Sequence, residues 1–159
     1  MNKSTLAATS LAVAVAGGSG SIASAKAVPA WYARLRKPPY QPPNAAFPVA
    51  WTTLYGDIAV TSAVAIDRFR AAGQYDKARR YAAALGVNLV LNAAWSWLFF
   101  RFHKLGASAV GAAALTASSA DLARRTAPAD PRAGLALSAY PLWCSFATVL
   151  ATHVWRLNR

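Results

Sequence analysis

Three long segments of the chain carry at most one charge each, and this restricts the fold more than any other feature of the sequence. Thr5 to Ala25 and Tyr81 to Phe100 contain no charged residue, and Phe47 to Ile66 contains only Asp57. A helix needs about 20 apolar residues to cross a hydrocarbon core of ~30 Å. The three segments are therefore predicted to be membrane-spanning helices.

Two further segments are compatible with spans. Residues 105–122 are rich in alanine, glycine and serine, and 133–154 are apolar with Pro141 inside, which is expected to kink the helix. Small residues suit close helix packing in lipid. The sequence thus predicts an all-α membrane protein, a five-helix bundle with spans at about 5–25, 47–66, 81–100, 105–122 and 133–154. We expect one domain over 1–159, in the cell membrane as a multi-pass protein.

The first segment has a second interpretation. Lys3 precedes the apolar run, and Ala23, Ser24 and Ala25 form a small-residue site of the kind that follows a secretory signal. From this stretch alone, a cleaved signal and a retained helix are about equally supported. The apolar segments that follow make a retained first helix the simpler topology.

Composition narrows the function classes. The net charge is +12, but lysines and arginines fall in short clusters between apolar stretches, as expected for residues that meet anionic lipid head groups. A nucleic-acid partner, which needs one continuous basic patch, is not expected. One cysteine and two histidines leave no spacing of the kind that binds metal, so no metal site is expected.

A proline-rich loop over 26–46 links the first two spans. Its five prolines rule out a regular helix and keep it stiff, so that it could act as a lid. The loop and the start of the second span carry Trp31, Tyr32, Tyr40 and Trp51. These rings are candidates for contact with a ligand, and an aromatic belt at the membrane interface explains them as well.

The third span places polar groups on one helical face. Asn88, Asn92, Trp95 and Phe99 are separated by four, three and four residues. Amides in hydrocarbon need partners, so this face should point into the bundle, toward another helix or a ligand with polar edges. Hydrogen bonds between helices are the simpler explanation.

The fifth span repeats the pattern with aromatic residues. Trp143, Phe146 and Leu150 share a face, which helix packing alone would also explain. Several inward tryptophans would line an apolar cavity that offers N–H donors and suits a large aromatic ligand.

Asp57 lies inside the second span, where a carboxylate is unusual. It could carry a proton or contact a substrate. Alternatively, it could lie at the edge of a water-filled cavity or pair with a loop arginine.

Four blocks, in order, resemble the TspO/MBR family of translocator and tryptophan-rich sensory proteins. They are WYARLRKPPYQPP, PVAWTTLY, VNLVLNAAWSWLFF and YPLWCSFATVLATHVWRLN, and they cover most of the chain. The pair Gly17 and Gly18 also looks like the family. Two departures are visible: Tyr40 stands where the family usually has tryptophan, and the C-terminal sterol motif is missing from VLATHVWRLNR. A degenerate match to that motif lies at Val28 to Arg34.

The resemblance implies a five-helix bundle, commonly a homodimer, that binds porphyrins such as protoporphyrin and haem, and in some members sterols. No further cofactor is implied. The ligand-contacting positions implied by the resemblance or by the aromatic loop are Trp31, Tyr32, Tyr40, Trp51, Asn88, Asn92, Trp95, Trp143 and Phe146.

Three hypotheses for the function follow. The first is a membrane receptor or sensor that binds tetrapyrroles in an aromatic cavity capped by the first loop. The second is an enzyme that degrades porphyrin with light and oxygen, in which Trp51 and Trp143 are the candidate electron donors. The third is a transporter of tetrapyrroles or sterols, the weakest because the single domain lacks an inverted repeat.

Overall fold

The regular structure of the chain is entirely helical, as predicted. A computed structural model describes all 159 residues and contains no strand. The six α-helices are α1 (Lys3–Ala25), α2 (Ala46–Ala71), α3 (Tyr75–Ser96), α4 (Leu105–Thr126), α5 (Pro131–Leu137) and α6 (Ala139–Leu157). Since α5 and α6 are separated only by Ser138, they form a nearly continuous rod.

Four continuous helical segments are long and apolar enough to cross a membrane. They are α1, α2, the stretch Tyr75–Arg101 that extends α3, and the stretch Pro131–Leu157 that joins α5 and α6. The fourth predicted span, 105–122, is a helix but does not reach the same hydropathy, because alanine, serine and glycine dominate α4. The protein is thus an integral membrane protein with four helices of clear membrane-spanning character.

The helices run beyond the uncharged segments that predicted them. The polar stretch between the second and third predicted spans is helical except for a short turn at Ala72 to Gln74. Gly73 has a φ of 71°, a conformation that glycine adopts without steric cost. Charged side chains interrupt an apolar run without interrupting a helix, so hydropathy marks the lipid-embedded part and not the helix ends.

The proline-rich loop contains one helical turn. Val28–Tyr32 form a five-residue π-helix, and Pro29 lies within its first two residues, where a missing N–H costs no helical hydrogen bond. A second π-helical turn, Trp97–Arg101, extends α3. Single π turns of this kind occur often at functional sites.

The predicted kink at Pro141 is a break between two helices. Proline has no N–H and its ring meets the carbonyl four residues earlier, which here belongs to Leu137, the last residue of α5. Close packing holds α5 in place: a Cβ added to Gly134 would lie 2.7 Å from Cα of Ala127, just after α4. Only glycine allows this approach.

Helix α4 packs on α6 more extensively than any other two elements pack on each other. The buried face of α4 carries Ser108, Ala109, Ala112 and Ser119, and no large aromatic residue. Thr116 of α4 and Thr148 of α6 form a hydrogen bond of 3.0 Å between their hydroxyl groups. The predicted role of the alanine- and serine-rich segment in close packing is therefore confirmed.

Candidate functional site

A cavity of about 640 Å³ lies between α1, α2, the C-terminal part of α3 and α6. Val28 and Tyr32 of the π-helical turn and Asn44 of the proline-rich loop also line it. Ligand pockets in proteins commonly measure about 300–1,000 Å³. The cavity is large enough for a ligand of several fused or linked rings.

Two helices supply most of the aromatic wall. On α2, Phe47, Trp51 and Tyr55 recur every four residues and so lie on one face. Trp95 at the end of α3 and Phe99 of the π-helical turn stack with ring centroids 5.3 Å apart. The cavity therefore presents flat π surfaces from two sides.

The wall formed by α1 consists almost entirely of small residues. Ser10, Ala14, Gly17, Gly18 and Ser21 line the cavity at helical spacing. Sequence reasoning did not assign these residues to the site, because glycine, alanine and serine mark a cavity only by the space they leave empty. Their common helical face and the resemblance of the pair Gly17 and Gly18 to the family were the signals available.

None of the 27 residues that line the cavity is charged. Its polar groups are hydroxyl, amide and indole groups. Burial raises the pKa of Tyr32, so its phenol stays uncharged. The chemistry of the cavity favours binding of a neutral, mostly apolar body over binding of an ion.

A chain of hydrogen bonds runs from the cavity wall across the bundle. Tyr55 donates to Asn92 at 2.9 Å, and the Asn92 amide donates to the Tyr140 oxygen at 3.1 Å. Tyr140 in turn donates to Asn88 at 3.0 Å, and Asn88 donates to Ser118 of α4 at 3.1 Å. The asparagine amides thus act mainly as links between helices, the simpler of the two explanations given above.

Four of the nine predicted contact residues line the cavity: Tyr32, Trp51, Asn92 and Trp95. Asn88 points inward as predicted but is fully buried among its hydrogen-bond partners and does not reach the cavity. The other four are absent from the cavity wall and belong to the loop or to α6. They are Trp31, Tyr40, Trp143 and Phe146.

The two loop rings that miss the cavity contact the two histidines of the chain. Trp31 stacks on His103 with ring centroids 3.9 Å apart, and the hydroxyl of Tyr40 is 3.1 Å from Nδ1 of His153. Asn158 adds a reciprocal pair of hydrogen bonds, accepting from the N–H of Arg36 and donating to its carbonyl. These contacts fix the loop over the end of the bundle.

Trp143 and Phe146 form a second layer behind the cavity. Phe47, which lines the cavity, packs edge-to-face on Trp143 with ring centroids 6.0 Å apart. The cavity side of α6 is formed instead by Ala147, Leu150, Ala151 and Val154. Of the two candidate electron donors, the structure places Trp51 at the cavity and Trp143 outside it.

Asp57 does not line the cavity. It is half-buried on α2, and its Oδ2 is buried without a hydrogen-bond partner. None of the ion pairs in the chain includes it, so the suggested pairing with a loop arginine is not found.

Lys37 lies against one residue of the aromatic wall. Its Nζ lies 4.7 Å from the centroid of the Tyr32 ring and donates to the carbonyls of Ala33 and Leu35. Arg34 and Arg36 of the same loop are exposed. Positive charge therefore surrounds the loop that covers the cavity, whereas the cavity itself has none.

Comparison with known proteins gives a consistent result. The family model described as the TspO/MBR family matches residues 8–156. A tryptophan-rich protein TspO of Archaeoglobus fulgidus is 34% identical, with 99% of each chain covered. Protein CrtK of Rhodobacter capsulatus is 33% identical over 93% of this chain and 89% of its own length. The human translocator protein is 30% identical over 80% of this chain and 75% of its own.

Proposed function

This chain belongs to the TspO/MBR family, and from that premise we propose that it is a membrane receptor for tetrapyrroles of the porphyrin type. The observation that carries the proposal is the uncharged, aromatic-walled cavity of about 640 Å³ beside a cationic loop. A porphyrin is a wide, flat, apolar ring system with carboxylates on one edge. The ring matches the cavity, and the carboxylates match the loop.

The ring of Trp51 on α2 and the small residues of α1 both line the cavity. A flat ligand fits such a space because one of its faces can stack on aromatic side chains while the other lies against a surface without protruding groups. Aromatic pairs contribute about 0.5–1.5 kcal/mol each beyond area burial. Three or four such contacts, together with the buried area, support an affinity of about 1 μM or better.

The ligand's carboxylates would remain at the edge of the cavity. Burial of an unpaired carboxylate among uncharged groups costs several kcal/mol, and no lining residue offers a compensating charge. Lys37 lies against Tyr32, itself part of the cavity wall, and is the best placed partner. Arg34 and Arg36 are free to contribute more weakly, since they are exposed to solvent.

We also propose that α4 is a fifth span. Its 22 residues extend about 33 Å, enough to cross the hydrocarbon core. It packs along α6, which belongs to the membrane-spanning stretch Pro131–Leu157. Its serine hydroxyls bond within the helix or to its neighbours, as those of Ser108 and Ser119 do, so they add little cost in lipid.

Titration of the purified protein with protoporphyrin in the dark, followed by tryptophan fluorescence, tests the receptor proposal. We expect saturable quenching with a Kd of about 1 μM or lower. Unchanged emission at tens of micromolar ligand would contradict it.

A matched pair of variants controls for non-specific quenching, since porphyrin dissolved in the detergent also quenches tryptophan fluorescence. Ala147→Phe fills the cavity from α6 and should abolish saturation, whereas Ala113→Phe, exposed on α4 outside the cavity, should not.

A further inference from the structure

The contact between α1 and α2 is closed at one end and open at the other. At the closed end, the N–H of Asn2 donates to Asp67, Arg70 donates to Thr5 at 3.2 Å, and Thr9 donates to the carbonyl of Ala59 at 2.9 Å. These three bonds join the first part of α1 to the last part of α2. The two helices are thereby held together over that half of their length.

Over the other half, α1 is attached to the end of α3 instead. Trp97 donates to the hydroxyl of Ser19 at 2.9 Å, and a Cβ added to Gly20 would lie 2.9 Å from Oγ of Ser96. The close approach to α2 in this half is at Gly17, where an added Cβ would lie 2.8 Å from the Tyr55 ring. No hydrogen bond joins α1 to α2 beyond Thr9.

The flanks of α1 and α2 that face each other in the open half are exposed. Ser10, Ala14, Gly18 and Ser21 of α1 line the cavity and are exposed, and so are Pro48, Thr52 and Gly56 of α2. An added Cβ at Gly18 or Gly56 would meet nothing within 4 Å. Residues on facing flanks of neighbouring helices are normally buried against each other. Because these residues both line the cavity and are exposed, we infer that the cavity opens between the two helices beside the contact of Gly17 with Tyr55, and we call this opening the slot.

We propose that the ligand enters and leaves the cavity sideways, from the bilayer, through this slot. The inference rests on the proposed receptor function and adds the route and the form in which the ligand arrives. Because α1 and α2 both have membrane-spanning character, the slot faces hydrocarbon. The ligand is a flat amphiphile dissolved in the membrane, which enters edge-on between the two helices.

Chemistry at the slot agrees with this route. Its borders carry no charge, so an apolar ring system passes without losing contact with an apolar or weakly polar surface. The alternative route lies under the proline-rich loop, which is held by the contacts of Trp31 with His103, of Tyr40 with His153 and of Arg36 with Asn158. Entry there would require several of these contacts to open, whereas no hydrogen bond joins α1 to α2 beyond Thr9.

The test is the rate of ligand exchange in nanodiscs of phosphatidylcholine, with protoporphyrin delivered from vesicles of the same lipid. Thr52→Phe narrows the slot, and Thr53→Phe is the matched control, since Thr53 is exposed on the same helix but does not line the cavity. For Thr52→Phe we expect association and dissociation rates both reduced about tenfold or more, with Kd changed less than about threefold. Gly56→Phe, one turn further along the same border, where an added Cβ would meet nothing within 4 Å, should act in the same way and serves if Thr52→Phe does not fold.

The outcomes separate the two proposals. Equal exchange rates for Thr52→Phe and Thr53→Phe would overturn the lateral route and leave the receptor proposal intact. A raised Kd with an unchanged association rate would also overturn it, since Thr52 would then be a contact in the wall and not part of an entrance. Absence of binding by the unaltered protein would overturn both proposals.

Discussion

Replacement of Trp51 by alanine is expected to weaken protoporphyrin binding by about 30- to 1,000-fold, equivalent to about 2–4 kcal/mol. Trp51 presents the largest side chain on the α2 wall of the cavity, and its ring packs on Tyr55 at 5.5 Å and on Tyr140 at 6.4 Å between centroids. These neighbours hold the indole in one orientation before the ligand arrives. Loss of the ring removes both stacking area and this preorganised surface.

Two further variants define the origin of the effect. Trp51→Phe keeps a ring at the same place and should recover most of the affinity. Trp155→Ala removes an indole that lies over Gly106 on another surface of the bundle, so Kd should stay within about threefold of the unaltered value. Equal losses for Trp51→Ala and Trp155→Ala would mean that indoles act through stability or non-specific quenching, and the assignment of the cavity would be wrong.

The second large effect is expected on stability. Tyr140→Phe should lower the free energy of unfolding by about 1–3 kcal/mol, because the lost oxygen accepts from Asn92 and donates to Asn88. Both amides are buried and would keep an unpaired polar group in the middle of the bundle. The phenyl ring remains, so packing changes little. The lost hydrogen bonds alone should account for the difference.

Thermal or denaturant unfolding in detergent measures this effect. The matched control is Tyr75→Phe, since Tyr75 begins α3 with 65% of its surface exposed and should tolerate the change within about 0.5 kcal/mol. Unfolding of Tyr140→Phe at the same midpoint as Tyr75→Phe would show that the chain of hydrogen bonds from Tyr55 to Ser118 does not hold the helices together.

Long uncharged segments and helical periodicity predicted the helices and the inward face of α3 well. Asn88 and Asn92 had to find partners because amides are costly in hydrocarbon, and the structure supplies those partners from α4 and α6. Periodicity could not decide between a helix and a ligand as the partner. That choice depends on what α4 and α6 place opposite each amide, which no local pattern records.

The residues of α6 show a second limit. Trp143, Phe146 and Leu150 share a face, but only Leu150 lines the cavity. The helix is apolar on most sides, so the sequence does not fix its rotation about its own axis. The pattern predicts that the large rings form the wall, whereas the cavity forms where α6 carries Ala147 and Ala151 and leaves room for a ligand.

The loop and α1 were the least predictable parts. Prolines restrict local backbone angles but not the path of a loop, so nothing local indicated that Trp31 and Tyr40 would contact His103 and His153. In α1, the small residues around Gly18 line the cavity because of where the helix packs in the bundle. That position depends on contacts that are far apart in sequence, such as the contact of Ser19 with Trp97.

A structure of the protein bound to protoporphyrin tests the central claim most directly. We predict that the ring system lies in the cavity between α1 and α2, with one face on Trp51, and that its carboxylates lie toward Lys37. Porphyrin bound on the outer surface of the bundle, with the cavity unchanged, would contradict the account.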